Sequence, residues 1–222
     1  MALIEINRTM EYCKIMHNQP QYRSGFTLIE LMVTIAIAAI LIAVAIPSFA
    51  PTIASNRLTA NANELVTALN LARSEAVKRG VSVTIRKVDG NSSTNNGSVA
   101  TWNWENGWDV FTDADSDGNY EAGDILIRTY APLQSSYTLR GNNFSNFIRF
   151  ISSGQSNTNG SFVICNNSDG NDVPEANTSR LIIVNTVGRV RMGLDANNDG
   201  IPNTDTTATA ASNITSCIPP FA

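Results

Sequence analysis

The sequence predicts an α+β protein, in which one long N-terminal helix, half membrane-spanning and half amphipathic, packs on an antiparallel β-rich head domain. Three observations predict it. Residues 26–46 hold no proline or glycine, and no charge apart from Glu30. Leu58, Ala62, Leu65, Leu69, Ala72 and Ala76 then recur at alternating steps of four and three, the spacing of one helical stripe. Beyond Gly80 the chain breaks into short runs of alternating apolar and polar residues, bounded by Gly, Asn, Asp and Pro, which read as strands and turns.

The first element is the apolar run. At 1.5 Å per residue it makes about 31 Å of helix, enough to cross a bilayer core. A secretory signal peptide has a shorter apolar core, followed by a small-residue cleavage site; here Pro47-Ser48-Phe49 follows. An ordinary signal anchor is the plain alternative. Glu30 argues for more, because a carboxylate in a spanning helix is costly and marks a partner or a function. It lies one helical turn from Phe26. A cut between Gly25 and Phe26 would give Phe26 a new α-ammonium, and that cation would neutralise Glu30 of a neighbouring subunit.

The second element continues the helix. Arg57, Asn61, Glu64 and Arg73 occupy the faces away from the apolar stripe, and Gly80 follows Lys78-Arg79 as a C-cap glycine does. Pro47 and Pro51 are expected to loosen the helix where they fall. Strands follow. Val81, Val83 and Ile85 alternate with Ser82, Thr84 and Arg86. Further strands are predicted at 107–112, 124–130, 137–140, 147–151, 161–165, 181–185 and 189–192, with polar loops at 91–101 and 166–179.

The stretch Gly25-Phe26-Thr27-Leu28-Ile29-Glu30 resembles the prepilin peptidase site of type IV pilins and type II secretion pseudopilins. The resemblance implies a type IV pilin fold, cleavage after Gly25 and N-methylation of Phe26. The apolar helix is then kept as membrane anchor and filament core, with Glu30 guiding subunit addition. The chain divides accordingly into a leader (1–25), a transmembrane and filament-core helix (26–46), its amphipathic continuation (47–80) and a periplasmic β-rich head (81–222). Such leaders are commonly short and basic, whereas this one carries Arg8, Lys14 and Arg23 against Glu5 and Glu11. Met10 and Met16 are alternative starts.

The segments NRLTANANELVTALNLARSEAVKRG (56–80), GWDVFTDADSDGNYEAGDILIR (107–128) and GRVR (188–191) are similar to the GspH/FimT branch of minor pilins and pseudopilins. Cys217 and the proline-rich end resemble the FimU type within it. The resemblance implies a minor type IV pilin that helps initiate pilus assembly and enters the filament near its tip. Its implied partners are other minor and major pilins, the prepilin peptidase and the inner-membrane assembly platform. Its implied place is a single pass through the bacterial inner membrane, then the pilus filament. A DNA-binding competence minor pilin and a type II secretion minor pseudopilin H are the two alternatives.

Cleavage changes the chemistry left to the chain. Three of the 15 basic and two of the 19 acidic residues precede Phe26, so the mature chain carries a net charge of about −5. That balance does not describe a nucleic-acid-coating surface. His17, the sole histidine, leaves with the leader, which excludes Ser-His-Asp, Cys-His and His-ligated zinc sites. No paired-acid motif stands out, so neither an enzyme nor an obligatory cofactor is expected. Cys13 also leaves, so Cys165 and Cys217 remain as an even pair in an oxidising periplasm. A bridge between them would pin the tail 215–222 to the Cys165 strand; two free thiols are the alternative.

Three further patterns are candidate sites. Asp113, Asp115, Asp117 and Gly118, with Asp124 beyond, follow the spacing of an EF-hand loop and admit Ca2+. Asp195, Asn197, Asp199 and Gly200 repeat the first half, with Asp205 nearby. The alternative for both is a solvated Asp/Gly-rich turn. Trp104 and Trp108 are either ligand-stacking or core residues, and Trp102 is a candidate exposed contact. Arg189 and Arg191 alternate along one predicted strand; the Gly-Arg-x-Arg stretch they form resembles that of FimT-like competence pilins, which implies that the two guanidiniums are candidate phosphate contacts for DNA, and the alternative is a hairpin whose arginines pair with Asp195 and Asp199.

Overall fold

The computed structural model describes residues 25–89, 103–204 and 212–221. Cys13, His17, Met10, Met16, Trp102, Asp205 and the polar loop at 91–101 lie outside the described residues. The chain forms two compact units, one ending at Ile46 and the other running from Pro47 to Ala222.

Helix α1 spans Leu28–Arg79. Its start is set by Thr27, whose Oγ1 accepts the backbone N–H of Glu30 at 3.2 Å. Thr27 and Glu30 thus stand in the Ser/Thr-x-x-Glu relation of a capping sequence, with one orphan donor of the first turn satisfied. Between residues 25 and 46 every side chain is exposed except half-buried Ala45. This helix is long and apolar enough to cross a membrane. Pro47 and Pro51 sit inside it: each removes one donor from the ladder, yet the helix passes through both. It stops at Gly80, whose N–H bonds the Ala76 carbonyl at 3.0 Å with φ of 70°, the left-handed turn that glycine adopts at least cost.

In the second unit the whole predicted stripe is buried, Leu58, Ala62, Leu65, Leu69, Ala72 and Ala76, together with Ala68. Two antiparallel sheets supply the opposing surface. The strands are β1 (Val83–Lys87), β2 (Trp108–Thr112), β3 (Leu126–Tyr130), β4 (Tyr137–Asn142), β5 (Phe147–Phe150), β6 (Gly160–Asn166), β7 (Ser179–Val184) and β8 (Val190–Met192). One sheet has the order β3-β2-β1-β5 and the other β4-β6-β7-β8. Val83, Ile85, Val110 and Ile148 of the first share one core with Leu139, Phe162, Ile164 and Ile182 of the second and with the helix stripe. Burying each large apolar side chain is worth about 1.5–3 kcal/mol against leaving it exposed.

Trp104 and Trp108 both belong to this core. A short 3₁₀ turn, Trp104–Asn106, directs the Trp104 indole N–H to the Phe144 carbonyl at 2.8 Å and its ring edge-on to Phe162. Trp108 stacks on Tyr130 with centroids 5.3 Å apart. The core reading of these two residues therefore holds, and their faces are spent on the interior.

The outer face of the second sheet carries a smaller cluster. Val163, Cys165 and Leu181 meet Ile214, Cys217 and Phe221 from the C-terminal segment. A Cys165–Cys217 disulfide, with Cα atoms 6.1 Å apart, holds that segment on the sheet.

Candidate functional site

Gly25, Phe26 and Thr27 precede α1 in non-helical backbone. The Gly25–Phe26 bond thus lies outside the hydrogen-bonded ladder, next to the cap. A Cβ on Gly25 would meet nothing within 4 Å, so nothing packed around this position demands glycine. Phe26 is 76% exposed, and the Glu30 side chain is exposed one turn later. The geometry joins a solvent-accessible peptide bond, an exposed aromatic ring and a single carboxylate on an otherwise apolar surface. The capping relation of Thr27 to Glu30 escaped the sequence reading, although Thr-x-x-Glu ahead of an apolar run is its signal.

The first Asp-rich loop connects β2 to β3. Asp113 is fully buried and accepts from the Thr84 hydroxyl at 2.6 Å and from the N–H groups of Asp117 and Gly118 at 3.1 Å each. Burial raises its carboxyl above the ordinary carboxylate range, against the lowering effect of these hydrogen bonds and of Arg149. Asp113, Asp115 and Asp117 bring one oxygen each within 4.8 Å of the others, but Asp124 is not of this group. It accepts the Glu121 N–H instead. The Arg149 guanidinium stands 4.0 Å from Asp113 and also bonds the Ser116 carbonyl. A resident cation of the chain itself thus faces the carboxylates, and the fourth expected ligand points elsewhere. Three of the four candidate Ca2+ ligands converge and Asp124 does not, and the loop as it stands is a turn tied to the sheet.

The second loop uses the same hydrogen-bond pattern. Asp195 accepts the N–H groups of Asp199 at 3.1 Å and Gly200 at 2.7 Å. Asp199 is held below the usual carboxylate range, first by the Asn213 amide and then by the Ile201 N–H. Through Asn213 this loop fastens to the C-terminal segment.

Arg189 and Arg191 do not share a strand as expected. Arg189 lies in the turn ahead of β8, where its N–H bonds the Asn185 side chain, and its own side chain is exposed. Arg191 pairs opposite Ile183 and lines a groove. Among the described residues neither guanidinium forms an ion pair, so the expected pairing with Asp195 and Asp199 is not made.

An apolar membrane-length helix opened by a Gly-Phe-x-x-x-Glu motif and followed by an antiparallel head defines a membrane-anchored assembly subunit. Residues 20–46 match the prokaryotic N-terminal methylation motif, and residues 61–188, more than half of the chain, match the type II transport protein GspH. The chain belongs to this GspH family of minor pilins and pseudopilins. Among solved structures it is similar to the type IV minor pilin FimU of Pseudomonas aeruginosa strain PAO1 in two crystal forms. Identity is 19% and 20%, TM-scores are 0.48 and 0.44, and the matches cover 73% and 72% of this chain and 96% and 99% of FimU. It is also similar to the minor pseudopilin EpsH from the Type 2 Secretion System of Vibrio cholerae, at 13% identity and a TM-score of 0.40 over 61% of this chain and 95% of EpsH. No curated protein sequence matches it.

Proposed function

We propose that this chain is a minor type IV pilin: a structural subunit, not an enzyme, that is cut after Gly25, methylated on Phe26, and built into the pilus near its tip after helping to start it. The observation that carries the reading is the Gly25–Phe26 bond lying in open backbone beside a capped helix whose first turn presents Glu30. A peptidase needs an extended segment, and here the helix begins two residues after the cut. Once Phe26 is the N-terminus, its ammonium is the natural partner for an acceptor subunit's Glu30, because an unpaired charge in hydrocarbon is expensive. The head then faces the periplasm, and its partners are pilins, the prepilin peptidase and the assembly platform. Mass spectrometry of purified filaments is expected to find a peptide beginning at N-methyl-Phe26. Glu30→Ala is expected to lower the chain's abundance in filaments at least about tenfold, the scale of one unpaired intramembrane charge. Filaments containing the intact leader, or unaffected by Glu30→Ala, would overturn the reading.

A second reading, a minor pseudopilin of a type II secretion system, is favoured by the description of the matching family. The two separate on deletion: loss of surface pili with normal secretion supports the pilin, and loss of secretion with normal pili supports the pseudopilin.

A further inference from the structure

Four side chains form a row across the outer face of the second sheet: Asn142, Ser161, Ile183 and Arg191, register neighbours on β4, β6, β7 and β8. All four line an open groove of about 340 Å³, closed at one side by Leu181 and Phe221. Both of these are buried members of the outer cluster that contains the disulfide. At the ordinary spacing of about 4.8 Å between strands the row is roughly 14 Å long, the length of four residues of extended chain. Its two ends differ in chemistry. At one end Asn142 offers an amide. At the other Arg191 offers a guanidinium with no hydrogen bond or ion pair among the described residues.

A half-buried arginine beside an apolar floor asks for one anion at one point. A guanidinium matches a carboxylate as a planar two-pronged donor, and the floor of Ile183, Leu181 and Phe221 matches an aliphatic side chain next to that carboxylate. A nucleic-acid backbone fits poorly. It needs a cation for successive phosphates, whereas Arg189 stands outside the groove lining, and the mature chain is acidic. We infer that this groove is a peptide site. It takes the C-terminal end of an extended protein segment, with the terminal carboxylate on Arg191, the last side chain on the apolar floor and the preceding backbone running toward Asn142.

The test uses the full chain, 15N-labelled in detergent micelles. Three probes are titrated: acetyl-Ala-Ala-Ala-Leu with a free carboxylate, the same peptide as its C-terminal amide, and an eight-nucleotide oligothymidylate. The side-chain amide signals of Asn142 and the Arg191 Nε–H report occupancy. The free acid is expected to shift both signals saturably, and the amide to bind at least about tenfold more weakly, the scale of one charge-assisted hydrogen-bond pair. Arg191→Gln should impose a similar loss on the acid, Arg191→Lys a smaller one and Arg189→Gln none. Equal binding of acid and amide, absence of any shift at saturating peptide, or equal loss with Arg189→Gln would overturn the inference. So would displacement of the peptide by the oligonucleotide. The acid-against-amide comparison on the unmutated chain stands whether or not a variant folds.

Discussion

A carboxylate enclosed as completely as Asp113 is costly unless every lone pair is used. Here the Thr84 hydroxyl and two loop N–H groups use them, while burial still raises its pKa. The folded chain therefore binds a proton at this site more readily than the unfolded chain does. As pH falls from neutral toward the ordinary carboxylate range, protonation of Asp113 favours the folded state. Asp113→Asn does not titrate, and its amide places donors against the Thr84 and Gly118 donors. It is expected to cost about 1–3 kcal/mol at pH 7 and to lose stability more steeply than the unmutated protein as pH falls from neutral toward the ordinary carboxylate range. Urea titrations across that range measure both effects, and parallel pH profiles would remove Asp113 as the cause. At this scale the sequence showed which residues are acidic and how they are spaced, and that pattern serves a metal and a turn equally well. The deciding residue, Arg149, lies on β5, far along the chain, and no local spacing points to it. Thr27 was legible, since Thr-x-x-Glu ahead of an apolar run is the signal of its cap.

The helix stripe was read from spacing because one face of α1 meets the core. Ala68 belongs to the same face, three residues after Leu65 and four before Ala72. The arc is wider than a single stripe because α1 packs against two sheets rather than one. All eight strands were legible as short runs between turn residues, the first of them by alternation, but their ends were not. Val81 and Asp124 alternate correctly and fall outside β1 and β3, since a strand ends where its partner stops bonding. The 3₁₀ turn at Trp104 was illegible, its reason being a distant carbonyl on Phe144. The C-terminal segment has no periodicity at all. Only the count of cysteines pointed to it, and the disulfide closes a sequence separation of 52 residues. Opening a loop of that size is worth about 4 kcal/mol in the chain-entropy treatment. Cys217→Ser is expected to lower unfolding free energy by about that amount and to expose Leu181 and Phe221. A denaturant midpoint unchanged by Cys217→Ser, with both cysteines recovered as free thiols from the unmutated protein, would show that the bridge carries no load.

The two compact units divide the chain's apolar surface in opposite ways. Among the described residues every buried apolar side chain lies between Leu58 and Phe221, whereas Phe26, Leu28, Ile29, Leu31 and the apolar residues after them through Ile46, half-buried Ala45 apart, expose theirs. A contiguous apolar surface of that length is not stable in water, so residues 26–46 need lipid or neighbouring helices as solvent, while the head has its own core and its own disulfide. A chain begun at Pro47 is therefore expected to be monomeric in aqueous buffer, with the Cys165–Cys217 bridge formed. Its thermal midpoint should fall within about 3 °C of the full chain in detergent, since the loss of residues that bury nothing changes unfolding free energy by well under 1 kcal/mol. The same truncated chain, expressed beside its partners, is expected to be absent from filaments, because it lacks both the apolar helix and Glu30. Calorimetry tests the first expectation and immunoblotting of sheared filaments the second. A truncated head that unfolds would show that the anchor contributes to the core. A truncated head recovered in filaments would place the assembly contacts in the head and remove Glu30 from the central role assigned to it.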